Sequence, residues 1–244
     1  MAQIKNQEKA EGKVMEDITL KLLGEDDYFT QEAFKVLRTN LQFCGQDIQV
    51  IAVTSCNENE GKTTVSLQLA RSLSELGKRV LVIDADMRKS VMAGRNTNAK
   101  RAIGLSEVLT GMVKLGDAIY STQYPNFQII FAGKYPPNPV ELLSGKYFKT
   151  LLSETRKVYQ YVIVDTPPLG RVIDAAVVAP NCDGSILVIG NTSVHYRQAQ
   201  EVVAQLEKSG SKILGVVRNN TNKKDGGYYY THNEKYGYGS NDGK

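Results

Sequence analysis

"TSCNENEGKTTVSLQLA", residues 54–70, holds the reading that decides the fold. An apolar run, VIAVT at 50–54, leads into it, and a helix-length segment from Lys62 to Gly77 leads away. Between a strand and a helix, Gly61-Lys62-Thr63 completes the G-x-x-x-x-G-K-[ST] pattern of a phosphate-binding loop. Cys56 occupies the place of the first glycine. The glycine that must lie next to the phosphates is the one before the lysine, Gly61, and Asn59 tolerates a left-handed backbone better than most residues. Backbone N–H groups at a helix start, together with the positive end of its dipole, seat a β-phosphate. Lys62 reaches the β- and γ-oxygens, the Thr63 hydroxyl is placed for Mg²⁺, and Thr64 lies near the α-phosphate. Glu60, Gly61, Lys62, Thr63 and Thr64 are therefore the candidate nucleotide contacts.

Outward from the loop, short apolar runs recur at 50–54, 79–84, 127–132, 161–165, 185–190 and 212–217. They are apolar on both faces, as buried parallel strands are. Helix-length segments at 62–77, 146–159, 171–180 and 194–209 alternate with them, and residues 31–43 carry Phe34, Leu37 and Leu41 on one helical face. The β-then-α order predicts a doubly wound, mainly parallel α/β sheet flanked by helices, with ligands beyond the carboxyl ends of the strands.

A chain of 244 residues suits one such domain with tails. Residues 1–28 read as a loosely held arm, 29–222 as the domain, and 223–244 as a disordered tail. With 30 basic and 26 acidic residues, the charge balance gives no argument for nucleic acid. Cys44, Cys56 and Cys182 have no metal-ligand spacing, and no run approaches the roughly 18 apolar residues of a membrane span. Those features predict a cytoplasmic protein with reduced thiols. The tail holds Tyr228, Tyr229, Tyr230, Tyr236 and Tyr238 among glycines and polar residues.

A magnesium nucleotide needs carboxylates, and strand ends supply them. VLVIDADMR (80–88) ends in Asp84 and Asp86, two residues apart and so on one side of an extended segment. YVIVDTPP (161–168) ends in Asp165, with Pro167 and Pro168 stiffening the exit. Either Asp84 or Asp86 is a candidate base toward a phenol, with the other orienting Mg²⁺, and Thr63 and Asp165 completing the metal set.

The loop, the D-x-D-x-R segment from Asp84 to Arg88 and VIVDTPP resemble the Walker A, A′ and B boxes of the bacterial tyrosine kinases of capsular and exopolysaccharide synthesis, within the ParA/MinD-related P-loop ATPases. GKYPPNPVELL (133–143) is a further shared stretch, and nothing resembles H-R-D or D-F-G segments. Many members carry Pro-Gly where this chain has Glu58-Asn59. The resemblance implies an ATP- and Mg²⁺-dependent protein-tyrosine autokinase, with Lys62, Asp84 and Asp86 in catalysis and Asp84 favoured as base. It further implies trans-phosphorylation of Tyr228, Tyr229, Tyr230, Tyr236 and Tyr238, and adenine contact at Asn219. EAFKVLR (32–38) resembles the family's E-x-x-R-x-x-R oligomerisation motif as Glu32, Lys35 and Arg38, with lysine in the middle place. The implied partners are a ring of like subunits, a transmembrane activator of the chain-length-regulator type that recruits the kinase to the inner face of the membrane, and a cognate tyrosine phosphatase. The alternative expectation is a ParA/MinD-like ATPase switch for positioning or partition.

Overall fold

A computed structural model describes residues 18–21, 28–96, 102–190 and 196–219. Seven strands form one sheet in the order β3-β4-β2-β5-β1-β6-β7, where β1 is Val50–Ser55, β2 Val80–Asp84, β3 Tyr120–Ser121, β4 Phe127–Ile130, β5 Tyr161–Asp165, β6 Gly184–Gly190 and β7 Ile213–Asn219. Every neighbouring pair is parallel except β3 with β4. The helices are α1 (Tyr28–Phe43), α2 (Lys62–Ser74), α3 (Met92–Asn96), α4 (Leu105–Leu109), α5 (Pro139–Ser144), α6 (Lys146–Val158), α7 (Asp174–Val178) and α8 (Tyr196–Lys208).

Side chains alternate across a strand, and the two faces of the sheet feed two separate cores. Val50 and Ala52 of β1, Leu81 and Ile83 of β2 and Val162 and Val164 of β5 join Leu151 of α6 and Leu206 of α8 on one side. Ile51, Val53, Val80, Val82 and Ile163 join Leu41 of α1 and Leu69 and Leu73 of α2 on the other. Each such valine, leucine or isoleucine contributes roughly 1.5–3 kcal/mol on burial. The double coverage is why these strands are apolar without alternation, and it confirms the doubly wound sheet.

Several boundaries differ from the sequence expectation. Helix α2 ends at Ser74 rather than at 77, because Gly77 takes a φ of 73° and its N–H turns back to the Ser74 carbonyl. The run at 127–132 leaves the sheet after Ile130, its Phe131 and Ala132 carbonyls accepting from Leu105 and Ser106 at the start of α4. The helix expected at 171–180 is reduced to α7 and a short 3-10 turn containing Pro180. Within the arm, Ile18 and Leu20 are buried, and the Ile18 N–H donates to the Ser121 carbonyl beside β3. These contacts fix the chain at residues 18–20. Residues 1–17 and 22–27 of the arm and the tail from 220 onward, with its five tyrosines, lie outside the described residues.

Candidate active site

The register of the sheet assembles the site. Asp84 at the end of β2 stands opposite Asp165 at the end of β5, and Asp165 stands opposite Val53 of β1, whose chain runs on into the phosphate loop. All three strands are parallel, so their carboxyl ends meet at one edge.

The loop is shaped by two left-handed residues, Asn59 at φ 62° and Gly61 at φ 85°. A Cβ at Gly61 would lie 2.0 Å from Asn219 Nδ2, so a side chain there would displace that amide as well as strain the left-handed backbone. That same Nδ2 donates to the Glu60 carbonyl at 3.0 Å, tying the end of β7 to the loop. Cys56 is not among the left-handed residues, which is why the consensus glycine is dispensable. Its buried thiol is pushed up to about 11 by burial and then by Glu60, so it stays a neutral packing group. Glu60 turns inward: its carboxylate accepts the Asn57 N–H at 2.9 Å and so braces the loop. Asn57 and Gln198 of α8 exchange amide hydrogen bonds of 3.3 and 3.0 Å. No side chain caps α2, leaving the N–H groups of its first turn open to an anion.

Beneath this turn lies one ammonium among three acids. Lys62 Nζ is 3.2 Å from Asp86 Oδ2 and 3.8 Å from Asp165 Oδ2. Burial pulls the Lys62 proton affinity down, but Asp165, Asp86 and Asp84 outweigh it and the group stays charged. The Thr63 hydroxyl donates to Asp165 Oδ2 at 2.7 Å and the Ser66 hydroxyl to Oδ1 at 3.2 Å. Asp165 is raised by burial against the opposing charge of Lys62. Asp84 is pushed up to about 7 by burial and then by the Asp165 charge, even though the Ser90 hydroxyl donates to it. Asp84 also accepts the Asp86 N–H at 3.1 Å, and Asp86 accepts the Lys89 N–H at 3.0 Å. Arg88 donates from Nε to both oxygens of the buried Asp174 at 2.9 and 3.2 Å.

A cleft of about 390 Å³ opens over the group, lined by Lys62, Thr63, Thr64, Asp86, Arg88 and Arg171 among others. Asp86 reaches its wall, whereas Asp84 and Asp165 sit just behind at 1% exposure. Among the described residues no preformed cage of three or more acid, cysteine or histidine ligands is present. Mg²⁺ is bound through one or two carboxylates beside phosphate oxygens and keeps several waters. Thr63, Asp86, Asp84 and Asp165 are the residues able to serve it.

The expected triad on α1 is divided. Lys35 Nζ pairs with Glu32 at 2.6 Å on the outer face. Arg38 instead turns inward, donating to the Ser72 carbonyl at 2.7 Å and hydroxyl at 3.2 Å on α2. The guanidinium finds there a carbonyl at a helix end that no backbone N–H satisfies. Residues not foreseen are Asn57, Ser66, Ser90, Asp174 and Gln198. Ser66 alone carried a signal, three residues beyond Thr63 and hence on the same helix face.

Open strand ends, an uncapped helix start behind a left-handed glycine and a lysine among acids define a P-loop nucleotide-binding protein. Residues 48–213 match the AAA domain family AAA_31. The chain is 41% identical over 194 residues to the tyrosine-protein kinase CpsD of Streptococcus agalactiae, covering 80% of this chain and 85% of that one. It is 34% identical over 214 residues to the tyrosine-protein kinase YwqD of Bacillus subtilis, covering 86% and 90%. Among solved structures, the kinase domain of the Escherichia coli tyrosine kinase ETK superposes with a TM-score of 0.75 at 33% identity, over 87% of this chain and 81% of that one. The septum site-determining protein MinD of Pyrococcus horikoshii, complexed with Mg-ADP, superposes with a TM-score of 0.57 at 28% identity, over 69% of each chain. The chain belongs to the family of bacterial tyrosine-protein kinases. Among the described residues no helix is long and apolar enough to cross a membrane.

Proposed function

We propose that this kinase transfers the γ-phosphoryl group of ATP to Tyr228, Tyr229, Tyr230, Tyr236 and Tyr238 in the tail of a neighbouring copy. The observation that carries this reading is the convergence of Lys62, Thr63, Asp84, Asp86 and Asp165 beneath the open start of α2. The first-turn N–H groups and Lys62 bind the β- and γ-phosphates, with Lys62 leaving the acids for the phosphate oxygens. Thr63, Asp86 and Asp165 would hold Mg²⁺, which would neutralise charge on those oxygens. Asp84 takes the phenol proton. A phenol with a pKa near 10 needs such a base, and the burial that lifts Asp84 to about 7 matches it to neutral pH. Asp86, already at the cleft wall, is the competing base, and separate Asp84→Asn and Asp86→Asn variants distinguish them.

The likeness to CpsD, YwqD and ETK supports the kinase reading, and the proposal extends to control of capsular or exopolysaccharide synthesis at the inner face of the membrane. A transmembrane activator of the chain-length-regulator type brings the kinase there, like subunits form the ring in which tails meet neighbouring sites, and a tyrosine phosphatase resets them. Each phosphate adds about −1.5 to −2 charges to the tail, which loosens the assembly. The test is incubation of the full chain with Mg-ATP, mass-spectrometric mapping of modified tyrosines, and Lys62→Met as control. ATP turnover with an unmodified tail, activator present, assigns the chain to the MinD-like switches instead.

A further inference from the structure

Besides the Ala85 N–H, which donates to the Asp165 carbonyl, three ion pairs run outward from the turn at 84–90 that carries the A′ acids. Lys62 holds Asp86, Lys89 pairs with Glu58, and Arg88 pairs with Asp174. The first is lost whenever Lys62 swings to a phosphate, as the proposed reaction requires. The second lies in solvent, with side-chain exposures of 71% and 48%, where an ion pair is screened and holds little. The third joins an arginine to a carboxylate that is 1% exposed, in the first turn of α7, beyond the segment that follows β5. Among the described residues Arg88 supplies the only hydrogen bonds to that carboxylate, at 2.9 and 3.2 Å. A buried carboxylate with one cation as its partner fixes that cation strongly, because separation would leave the charge unpaired.

We infer that Asp174 is a positioning residue for phosphoryl transfer: through Arg88 it holds the A′ turn against the segment after β5, and keeps Asp84 and Asp86 in place once Lys62 has turned to the nucleotide. The inference rests on the reading of those two acids as the phosphoryl-transfer machinery. Asp174 touches no reacting atom. Arg88 shares the cleft with Lys62 and Thr63 whereas Asp174 does not line it, so Asp174→Ala is the variant in which nucleotide affinity should survive while turnover falls.

The experiment is a double-mutant cycle in the full chain with Arg88→Ala, Asp174→Ala and the pair, with Arg88→Lys as the conservative variant. Turnover is counted per nucleotide-binding site, titrated with a fluorescent ADP, so that loss of folded protein does not register as loss of rate. Each alanine variant is expected to lower kcat about 10- to 100-fold, the effect of displacing catalytic groups by an ångström or less. The KM of Asp174→Ala for ATP should change less than about threefold, the double variant should be no slower than the worse single, and Arg88→Lys should recover part of the rate. Unchanged kcat per site, strictly additive losses, or a raised KM at constant kcat would overturn the inference. Should Asp174→Ala fail to fold, Arg88→Lys and Arg88→Ala decide alone by the same kcat readings. Asp84→Asn and Asp86→Asn run alongside: if both keep full transfer, the reading of the A′ acids fails, whereas if either loses transfer while Arg88→Ala and Asp174→Ala keep it, only the positioning role fails.

Discussion

The two ends of the sheet treat charge in opposite ways. At the amino end of β1, the Arg156 guanidinium meets both oxygens of Asp183 at 2.8 Å, and the N–H groups of Val50 and Gln49 complete the carboxylate at 2.7 and 2.9 Å. Burial alone would raise Asp183, yet Arg156 and those N–H groups hold it below the usual carboxylate range. At the carboxyl end, one lysine faces three acids and Asp84 is driven up to about 7. A satisfied group holds a fold together. An unsatisfied cluster with an excess of acid awaits cations or protons, which is how perturbed groups mark working sites.

The largest expected effect breaks the working end. Lys62→Met removes the ammonium that faces Asp86 and Asp165, and autophosphorylation followed by radiolabelled ATP should fall by about 10³-fold, as for removal of a charge-stabilising donor. A thermal melt of the same variant should fall, because Asp86 and Asp165 lose their buried cation, so the rate is counted per folded molecule. A rate within tenfold of wild type would remove Lys62 from the mechanism.

Next comes Asp84→Asn, with a loss of about 10²- to 10⁴-fold from removal of a general base. In the wild type, kcat should rise with pH along an acid limb at or below about 7, since bound Mg²⁺ favours the ionised form. The limb should vanish in Asp84→Asn. Stability gives an independent reading. A carboxyl whose folded pKa lies above its unfolded value costs the fold most where it is ionised, so the variant should gain on wild type as pH rises through 7 and match it below about pH 4. Urea titrations at those two pH values check the sign.

At the structural end, Asp183→Asn leaves Arg156 without its charge partner and should cost about 2 kcal/mol, or about 4–8 °C in Tm for a domain of this size. Turnover per folded molecule should stay the same. Because Asp183 is held below its unfolded pKa, the wild-type advantage should be present at neutral pH and disappear as pH falls through the folded value. Equal loss of rate at both ends would abolish the distinction between them.

Much of this contrast was legible before the structure, for a reason particular residues make plain. Buried parallel strands must be apolar on both faces, so Val80–Ile83 and Tyr161–Val164 announce themselves, and a ligand site follows from the acids that end them. Gly61 and Asn59 were readable because left-handed backbone restricts residue type. Asp174 and Gln198 were not, because their partners lie 86 and 141 residues away along paths that no local pattern encodes. Ile18 and Leu20 were missed because two apolar residues in a polar stretch carry no periodicity.

The smallest expected effect tests to which side Arg38 belongs. The resemblance of EAFKVLR to an oligomerisation motif suggests a surface for subunit contact, but Arg38 gives its guanidinium to Ser72 across α1 and α2, with only 15% of the side chain exposed. Arg38→Ala should therefore behave like Asp183→Asn in miniature: about 1 kcal/mol lost through the abandoned carbonyl, about 2–4 °C in Tm, and no change in kinetics per folded molecule. Glu32→Ala, on the outer face, should leave Tm within about a degree, since an exposed pair contributes little. Size-exclusion with light scattering on both variants sharpens the distinction. If Arg38→Ala keeps its Tm and loses assembly, Arg38 serves the neighbouring subunit. If it loses Tm while Glu32→Ala loses assembly, the motif splits as its contacts do, Arg38 bracing the helix whose outer face meets the next copy.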